Sequence, residues 1–191
     1  GVFLKLAFIS AFFIAIKLIT LLPLLFKRVK IYHQGTDVRE ISPAESFDEV
    51  KNINIDAFIK KYTEVMYDAE MTASLLPVVL YSISSNNPDA EKIFNFITNR
   101  GDNDEETVSE FKNVKKQLDG KEYIALSYFT CTTPENGYEV SGVPTTRIKS
   151  SGSLDNDKYE KSLYIACSGS GSYRPVKLKA ISPKMVKKSK N

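Results

Sequence analysis

Residues 2–26 are the feature that most constrains how this 191-residue chain can fold. They read VFLKLAFISAFFIAIKLITLLPLLF, and Lys5 and Lys17 are their only charged residues. As one helix, the segment would extend roughly 37 Å, which exceeds the roughly 30 Å thickness of a hydrocarbon core. It is therefore predicted to be a transmembrane helix within an anchor over residues 1–30. The chain would then reside at the cell membrane as a single-pass protein, with the lipid bilayer as its first partner.

Two other interpretations of this segment are a cleaved signal peptide and a helix lying in the membrane interface. Cleavage is disfavoured because the next residues are Lys27-Arg28-Val29-Lys30 rather than a small-residue site. Lys17 at bilayer depth costs about 2.5–3.5 kcal/mol, which the surrounding Leu, Ile and Phe residues offset. Sidedness stays open. The basic flank favours a cytoplasmic position for the folded part, but a more basic segment before Gly1 would reverse this, and we expect the folded part to be extracellular.

The distribution of charge argues against nucleic acid as a partner. The formal net charge is +3, from 26 basic and 23 acidic residues. Nine of the basic residues lie in residues 1–30 and 184–191, whereas every acidic residue lies in residues 31–183, which therefore carry a net charge of −6. A nucleic-acid-binding protein needs a basic face on its folded part. Basic residues beside an apolar segment instead suit anionic lipid headgroups.

No catalytic residue, metal site or cofactor site is predicted. The chain has one histidine, His33, which lies just past the apolar segment, and two cysteines 36 residues apart. A zinc site needs about four closely grouped ligands. The acidic residues at 102–106 lack the spacing of an EF-hand loop. The Gly/Ser stretch 168–172 could hold an anion through backbone N–H groups, but it lacks the lysine and the following helix of a P-loop.

The first half of the folded part is predicted to be helical. Apolar residues recur at helical spacing from Ile55 to Leu76, with Asn54 as a suitable N-cap, and Pro77 should kink or end this helix. Val78–Ile83 could be a short strand or a further helical turn. Asn87-Pro88-Asp89 is typical of a second helix start. A third helix is predicted from Ser109 to Leu118, followed by Gly120 as its stop.

The second half has the composition and alternation of strands. Glu122–Thr132 is rich in Tyr, Phe, Thr and Ile and is predicted to be a strand, with a weaker one at Thr145–Ser150. Leu163–Cys167 and Val176–Ala180 alternate in polarity, so they are predicted to pair through a connection at Ser168–Tyr173. Helices followed by strands indicate an α+β fold, with helices packed on an antiparallel sheet.

The resulting organisation has four parts. The predicted anchor over residues 1–30 is followed by a polar linker over residues 31–53. The α+β domain occupies residues 54–183. A basic tail without an apolar pattern covers residues 184–191.

Two segments resemble a known family. The first is Lys121–Tyr138, which ends in Thr-Pro-Glu-Asn-Gly-Tyr, and the second is Ser168–Leu178, which contains Tyr-Arg-Pro-Val-Lys-Leu. They are similar to an A-T-P-E-N-N-Y segment and an S-S-G-x-x-x-P-R-x-[IV]-K-L-R segment of functionally uncharacterised domains from Gram-positive gut bacteria. This resemblance covers about residues 100–180 and implies a secreted or membrane-anchored domain at the cell envelope. The chain departs from the family at Cys131-Thr132-Thr133 and lacks the family's closing Trp-containing strand.

Ligand contacts are expected in these segments. Tyrosines crowd the strand half, and a tyrosine-rich face suits contact with a ligand or glycan. The candidate contact residues are Tyr138, Ser170, Tyr173 and Arg174. Cys131 and Cys167 could form a disulfide in an oxidising compartment and would be reduced core thiols inside the cell.

The function expected from these observations is that of a membrane-anchored, non-enzymatic binding domain at the cell envelope. Its partner would be a protein, a peptide or an envelope polymer. One alternative is a cytoplasmic-side accessory subunit of a membrane complex, because Lys17 would need a partner within the bilayer. Another is a carboxylate-based envelope hydrolase, which requires two acids about 5–10 Å apart in a cleft.

Overall fold

A four-stranded antiparallel sheet with helices packed on one side forms the frame of the chain. The computed structural model describes residues 6–9, 15–18, 38–98, 105–150, 160–168 and 172–179. The described helices are α1 (Phe47–Lys51), α2 (Ile55–Val65), α3 (Ala69–Ser74), α4 (Leu76–Ser84), α5 (Ala90–Thr98), α6 (Glu105–Leu118) and α7 (Glu122–Leu126). The described strands are β1 (Leu6–Ile9), β2 (Ala15–Leu18), β3 (Val38–Ile41), β4 (Thr146–Ser150), β5 (Glu160–Cys167) and β6 (Ser172–Lys179). The predicted α+β class is confirmed.

The apolar N-terminal segment contains two short strands where the sequence predicts a transmembrane helix. β1 and β2 pair antiparallel, with Leu6 opposite Leu18 and Ile9 opposite Ala15. A continuous helix over residues 2–26 is therefore wrong at these two strands, and the rest of the segment lies outside the described residues. An uninterrupted apolar run does not distinguish a helix from a buried strand. Such a run shows neither the helical spacing of apolar residues nor the apolar/polar alternation of a half-buried strand. None of the helices in the described residues is long and apolar enough to cross a membrane.

The sheet is built in the order β3-β4-β5-β6, with every neighbouring pair antiparallel. The predicted strands near residues 145, 163 and 176 are confirmed, and β5 and β6 form the expected pair, with Cys167 opposite Ser172. β3 adds an edge strand from within residues 31–53, where a linker is predicted, and α1 follows it. The polar composition of this stretch concealed both elements, because each buries few side chains.

Alternation along the strands gives the sheet two chemically different faces. The inner face packs under α3 and carries Ile148, Leu163, Ile165, Val176 and Leu178, all almost fully buried. The opposite side is here called the outer face. In register, it consists of Val38, Glu40, Arg147, Lys149, Glu160, Ser162, Tyr164, Ala166, Tyr173, Pro175, Lys177 and Lys179.

The long helix predicted from Ile55 to Leu76 is divided among α2, α3 and α4. α2 ends at Val65, and Asp68 caps α3 by accepting a hydrogen bond from a backbone N–H of its first turn. Pro77 lies in the first turn of α4 instead of ending a helix, because a proline there removes no helical hydrogen bond. α4 is buried along its whole length, so its apolar run is a central helix rather than a strand.

The starts and stops of the next helices follow their local signals. Asn87 Oδ1 accepts a hydrogen bond from Asp89 N at 2.8 Å, and α5 begins at Ala90, as predicted. α6 begins at Glu105 rather than after Ser109. Gly120 has φ +65° just beyond the end of α6, and this left-handed conformation explains why a glycine stops the helix there.

The strand predicted over Glu122–Thr132 is wrong, because the segment forms α7 followed by a series of turns. Its tyrosines and β-branched residues favour a strand by composition. Burial instead follows helical spacing, since Ala125, Tyr128 and Phe129 are buried while Tyr123 is exposed. Packing against α4 therefore decides the conformation of a segment whose intrinsic preference points the other way.

Tyr62 carries a buried hydroxyl that is unpaired among the described residues. Its side chain is 1% exposed, its ring makes an edge contact with Phe96, and its hydroxyl has no hydrogen-bond partner within the described part of the chain. Burial also raises the pKa of this phenol. We therefore expect Tyr62→Phe to leave the free energy of unfolding unchanged or to raise it by about 1 kcal/mol. Urea titration of both proteins measures this, and a loss of stability would reveal a partner for the hydroxyl.

Candidate functional site

The two segments that carry the family resemblance meet at one end of the sheet. Ser168 N donates to Ser127 O at 2.7 Å, and Ser168 Oγ donates to the same carbonyl at 3.0 Å. Ser127 Oγ lies 3.3 Å from Cys167 Sγ. These contacts hold the end of α7 against the end of β5, so residues about 40 positions apart form one surface.

The buried hydroxyl of Thr132 adds further contacts to this junction. Its side chain is fully buried, and its hydroxyl lies 2.7 Å from Leu126 O and 2.8 Å from Phe129 O. The same oxygen lies 3.2 Å from Ser168 Oγ. The threonine therefore closes the turns after α7 and connects them to β5, at the position where the chain departs from the family pattern.

The segment Thr133–Glu139, here called the tyrosine loop, is organised around Asn136. The Asn136 amide accepts from Thr133 N at 2.8 Å and donates to Cys131 O at 3.1 Å and to Glu139 O at 3.2 Å. The backbone N–H of Asn136 donates to Thr133 Oγ1 at 3.2 Å. An exposed loop held by this many internal hydrogen bonds keeps one conformation without support from a core.

Tyr138 is held in a conformation that a bulky side chain rarely adopts. Its φ is +62°, directly after Gly137 at +66°, and its N–H donates to Thr133 O at 2.9 Å. A left-handed conformation at a non-glycine residue costs about 1–2 kcal/mol. The ring of Tyr138 lies against that of Tyr123 on α7, with centroids 5.8 Å apart, and Tyr123 is 48% exposed. The conformation that brings the two tyrosine rings together therefore costs free energy, which the rest of the loop must offset.

The predicted contact residues do not form one cluster. Tyr173 lies on the outer face of the sheet opposite Ala166, whereas Arg174 lies on the other side opposite Ile165. Tyr138 belongs to the tyrosine loop, and Ser170 lies outside the described residues. Consecutive strand residues point to opposite faces, so Tyr173 and Arg174 cannot share one flat site.

Arg174 acts electrostatically on Tyr128, a buried tyrosine near the junction. Burial, and to a lesser extent the Cys167 thiol, raise the pKa of Tyr128 to about 12, while Arg174 acts in the opposite direction. The phenol is therefore neutral across the physiological range and can only share hydrogen bonds. Cys131 and Cys167 are both free in the structure and half-buried against the core, and their pairing in an oxidising compartment stays a prediction.

Three carboxyl groups of the helical layer have lowered pKa values, which favours their ionised form. Burial raises the pKa of Asp68, but hydrogen bonds from Met71 N and from Arg39 lower it by more. Burial likewise raises the pKa of Glu49, and Lys61 at 2.7 Å more than offsets it. A hydrogen bond from Lys92 lowers the pKa of Asp89. A general acid needs a raised pKa, which is the opposite arrangement.

One cleft between described residues is small for a ligand, and the described side chains form no metal-binding cluster. A cleft of about 140 Å³ lies between the end of β3 and helices α2 and α3, which is small beside the several hundred Å³ of typical ligand pockets. Within the described ranges, His, Cys, Asp and Glu side chains form no cluster that could hold a metal ion.

A family model matches residues 44–184, and thus covers the tyrosine loop and strands β4, β5 and β6 of the sheet. The chain belongs to the family described as domain of unknown function DUF6935. No curated protein and no solved structure shows significant similarity to it. The expected membership of a functionally uncharacterised family is confirmed at this level.

Sequence reasoning missed the roles of Asn136, which orders the tyrosine loop of this DUF6935 domain, and of Tyr123, which packs against that loop. The sequence predicts Asn136 only as part of a turn, although an Asn-Gly pair also marks a position for internal hydrogen bonds. Tyr123 is predicted to lie in a strand, which would separate it from Tyr138. The contact between the two rings depends on α7 being a helix, and no local signal in the sequence reports it.

Proposed function

We propose that this domain is a non-enzymatic binding domain, held at the membrane by residues 2–26, that contacts a partner at the cell envelope through its tyrosine loop. The partner is a protein, a peptide or an envelope polymer. The observation that carries the proposal is the strained conformation of Tyr138, which keeps its ring beside the exposed ring of Tyr123. Strained residues persist where the surroundings over-determine them, and such positions concentrate at ligand-contacting sites.

The chemistry of the pair suits recognition better than catalysis. Two tyrosines offer flat apolar surface with a hydroxyl at the edge, and they lose little conformational entropy on binding. Asn136 already fixes the loop that carries one of them. A partner therefore meets a preorganised surface, which reduces the ordering cost of association.

Membrane attachment through residues 2–26 is supported by their composition and length. In the described structure β2 lies beside β6 and β1 beside α5, and an isolated two-stranded pair in hydrocarbon would lack hydrogen-bond partners for the backbone groups at its outer edges. In a bilayer, a helix satisfies the backbone internally, so the same apolar segment favours a helix there. Lys27, Arg28 and Lys30 would then lie at the headgroup level.

The binding role is tested by sedimenting full-length protein, kept in detergent, with the insoluble cell-wall fraction of a Gram-positive bacterium. Tyr138→Asn preserves the left-handed conformation but removes the ring, and Tyr123→Ala removes its neighbour. Truncating aromatic contacts of this kind costs about 2 kcal/mol, so we expect the apparent dissociation constant to rise about 30-fold for each variant.

Tyr67→Ala is the matched control, because Tyr67 is 52% exposed and lies at the end of α2, away from the loop. It should bind like the unaltered protein. Equal binding by all four proteins, with unchanged circular dichroism, would remove the tyrosine loop from the contact surface. Absence of binding by the unaltered protein would reject the wall as the partner.

A further inference from the structure

The outer face of the sheet presents basic and aromatic side chains. One register row crosses all four strands as Val38, Lys149, Tyr164 and Pro175. Val38 is 44% exposed, and on the next row of β6 Tyr173 is 39% exposed. The inner face is covered by helices, whereas the outer face keeps its large side chains at least partly accessible. It is therefore a second surface, separate from the tyrosine loop.

The charge of this face is opposite to that of the domain around it. It carries four basic and two acidic side chains, within a stretch whose net charge is −6. Arg147 is neutralised by Glu40, with Nε and Oε1 2.7 Å apart. Lys149, Lys177 and Lys179 make no ion pair with any residue that the structure describes. A basic surface on an acidic body orients the domain toward an anionic partner.

The shape and position of the face favour a bilayer surface as that partner. An open face of four strands is broad enough to meet a headgroup layer, and tyrosine and lysine are the side chains that suit that layer. Eleven residues lie between Phe26 and Val38, so the sheet edge can lie no further than about 40 Å from the end of the apolar segment. A tethered face of this charge meets the headgroups at high local concentration.

We infer that the outer face docks on the anionic headgroups of the membrane that holds the chain, through Lys149, Lys177 and Lys179 around Tyr164 and Tyr173. This inference rests on the proposed membrane attachment and extends it from the apolar segment to the folded domain. Docking in this orientation places the helical side away from the bilayer. α7 and the tyrosine loop belong to that side, so they stay accessible to an envelope partner.

Lysine footprinting of full-length protein in vesicles tests the inference. The protein is reconstituted into vesicles of phosphatidylcholine alone or with phosphatidylglycerol and then treated with an amine-reactive reagent. We expect acetylation of Lys149 and Lys177 to slow about fivefold or more in the anionic vesicles, and to recover at high salt. Lys112 and Lys116 on α6 are exposed and lie on the helical side, so their labelling should not change.

Charge reversal provides the matched pair of variants. Lys149→Glu with Lys177→Glu should abolish the difference between the two vesicle types in the acetylation of Lys179, the lysine that remains on the outer face. Lys112→Glu with Lys116→Glu changes the net charge equally and should leave the protection of Lys149 and Lys177 intact. Thermal unfolding of both double variants confirms that neither loses its fold.

The outcomes separate docking from membrane attachment. Failure of the protein to float with either vesicle type would overturn the proposed attachment and with it this inference. Flotation with both types, but equal labelling of Lys149 and Lys177, would overturn docking alone. Protection by soluble polygalacturonate but not by anionic vesicles would also overturn it, and would assign the face to an anionic polymer.

Discussion

Phe129→Ala is expected to lower the free energy of unfolding by about 3–5 kcal/mol, the largest effect of any single change considered for this domain. Phe129 is fully buried, and its ring makes an edge contact with Phe47 of α1. The next residue, Thr130, donates to Thr145 O at 2.7 Å, directly before β4. Phe129 therefore ties the turns after α7 to both the helical layer and the sheet. Urea unfolding followed by far-ultraviolet circular dichroism measures the change.

Two comparisons make the result for Phe129 specific. Phe129→Leu keeps most of the buried volume and should cost about 1.5 kcal/mol or less. Tyr67→Ala removes an exposed aromatic ring and should stay within about 0.5 kcal/mol of the unaltered protein. A loss below about 1 kcal/mol for Phe129→Ala would mean that the segment after α7 does not pack against α1 as described.

Asn136→Ala is expected to lower the free energy of unfolding by about 1–3 kcal/mol, a large effect for an exposed residue, and to release the tyrosine loop. The substitution removes the side-chain bonds to Thr133 N, Cys131 O and Glu139 O. Without them, only the hydrogen bond from Tyr138 N to Thr133 O and the ring contact with Tyr123 offset the cost of the left-handed conformation of Tyr138. Amide exchange by NMR should accelerate at Thr133, whose N–H loses its acceptor. Near-ultraviolet circular dichroism should lose tyrosine intensity, and the chain contains no Trp to mask it.

Asn136→Asp separates the role of the amide oxygen of Asn136 as an acceptor from the role of its amide nitrogen as a donor. The carboxylate keeps an acceptor for Thr133 N but cannot donate to Cys131 O or Glu139 O. Its stability should therefore fall between those of the unaltered protein and Asn136→Ala. If both variants bound the wall fraction as well as the unaltered protein does, loop order would be irrelevant to binding.

Local signals predicted much of the fold because they act over a few residues. Asn87-Pro88-Asp89 starts α5, and Gly120 stops α6, since capping and a positive φ depend on neighbours alone. The alternation in β5 and β6 predicted their pairing. Boundaries inside Ile55–Leu76 escaped prediction, because apolar spacing continues across the break at Asp68.

The candidate site was less accessible to sequence reasoning than the fold. Both Tyr138 and Arg174 are predicted as ligand contacts from the two segments that carry the family resemblance. In the structure, Tyr138 packs against Tyr123, whereas Arg174 lies near the buried Tyr128. Tyr173 shares a face with Lys177 and not with Arg174, which is evident once the register of β6 is known. The outer face gathers residues from four strands, and its charge becomes visible only when those strands lie side by side.

The sequence by itself determined the α+β class, the turns and caps, and the presence of an apolar segment before an acidic body. These features arise from residue chemistry at short range. Tertiary structure alone decided that Glu122–Leu126 is a helix and that Tyr123 meets Tyr138. It also brought Lys149 and Lys177 onto one basic face. The physical reason is that burial against distant elements outweighs intrinsic strand preference, and the pairing of strands, which places distant charges together, is not encoded in any local pattern.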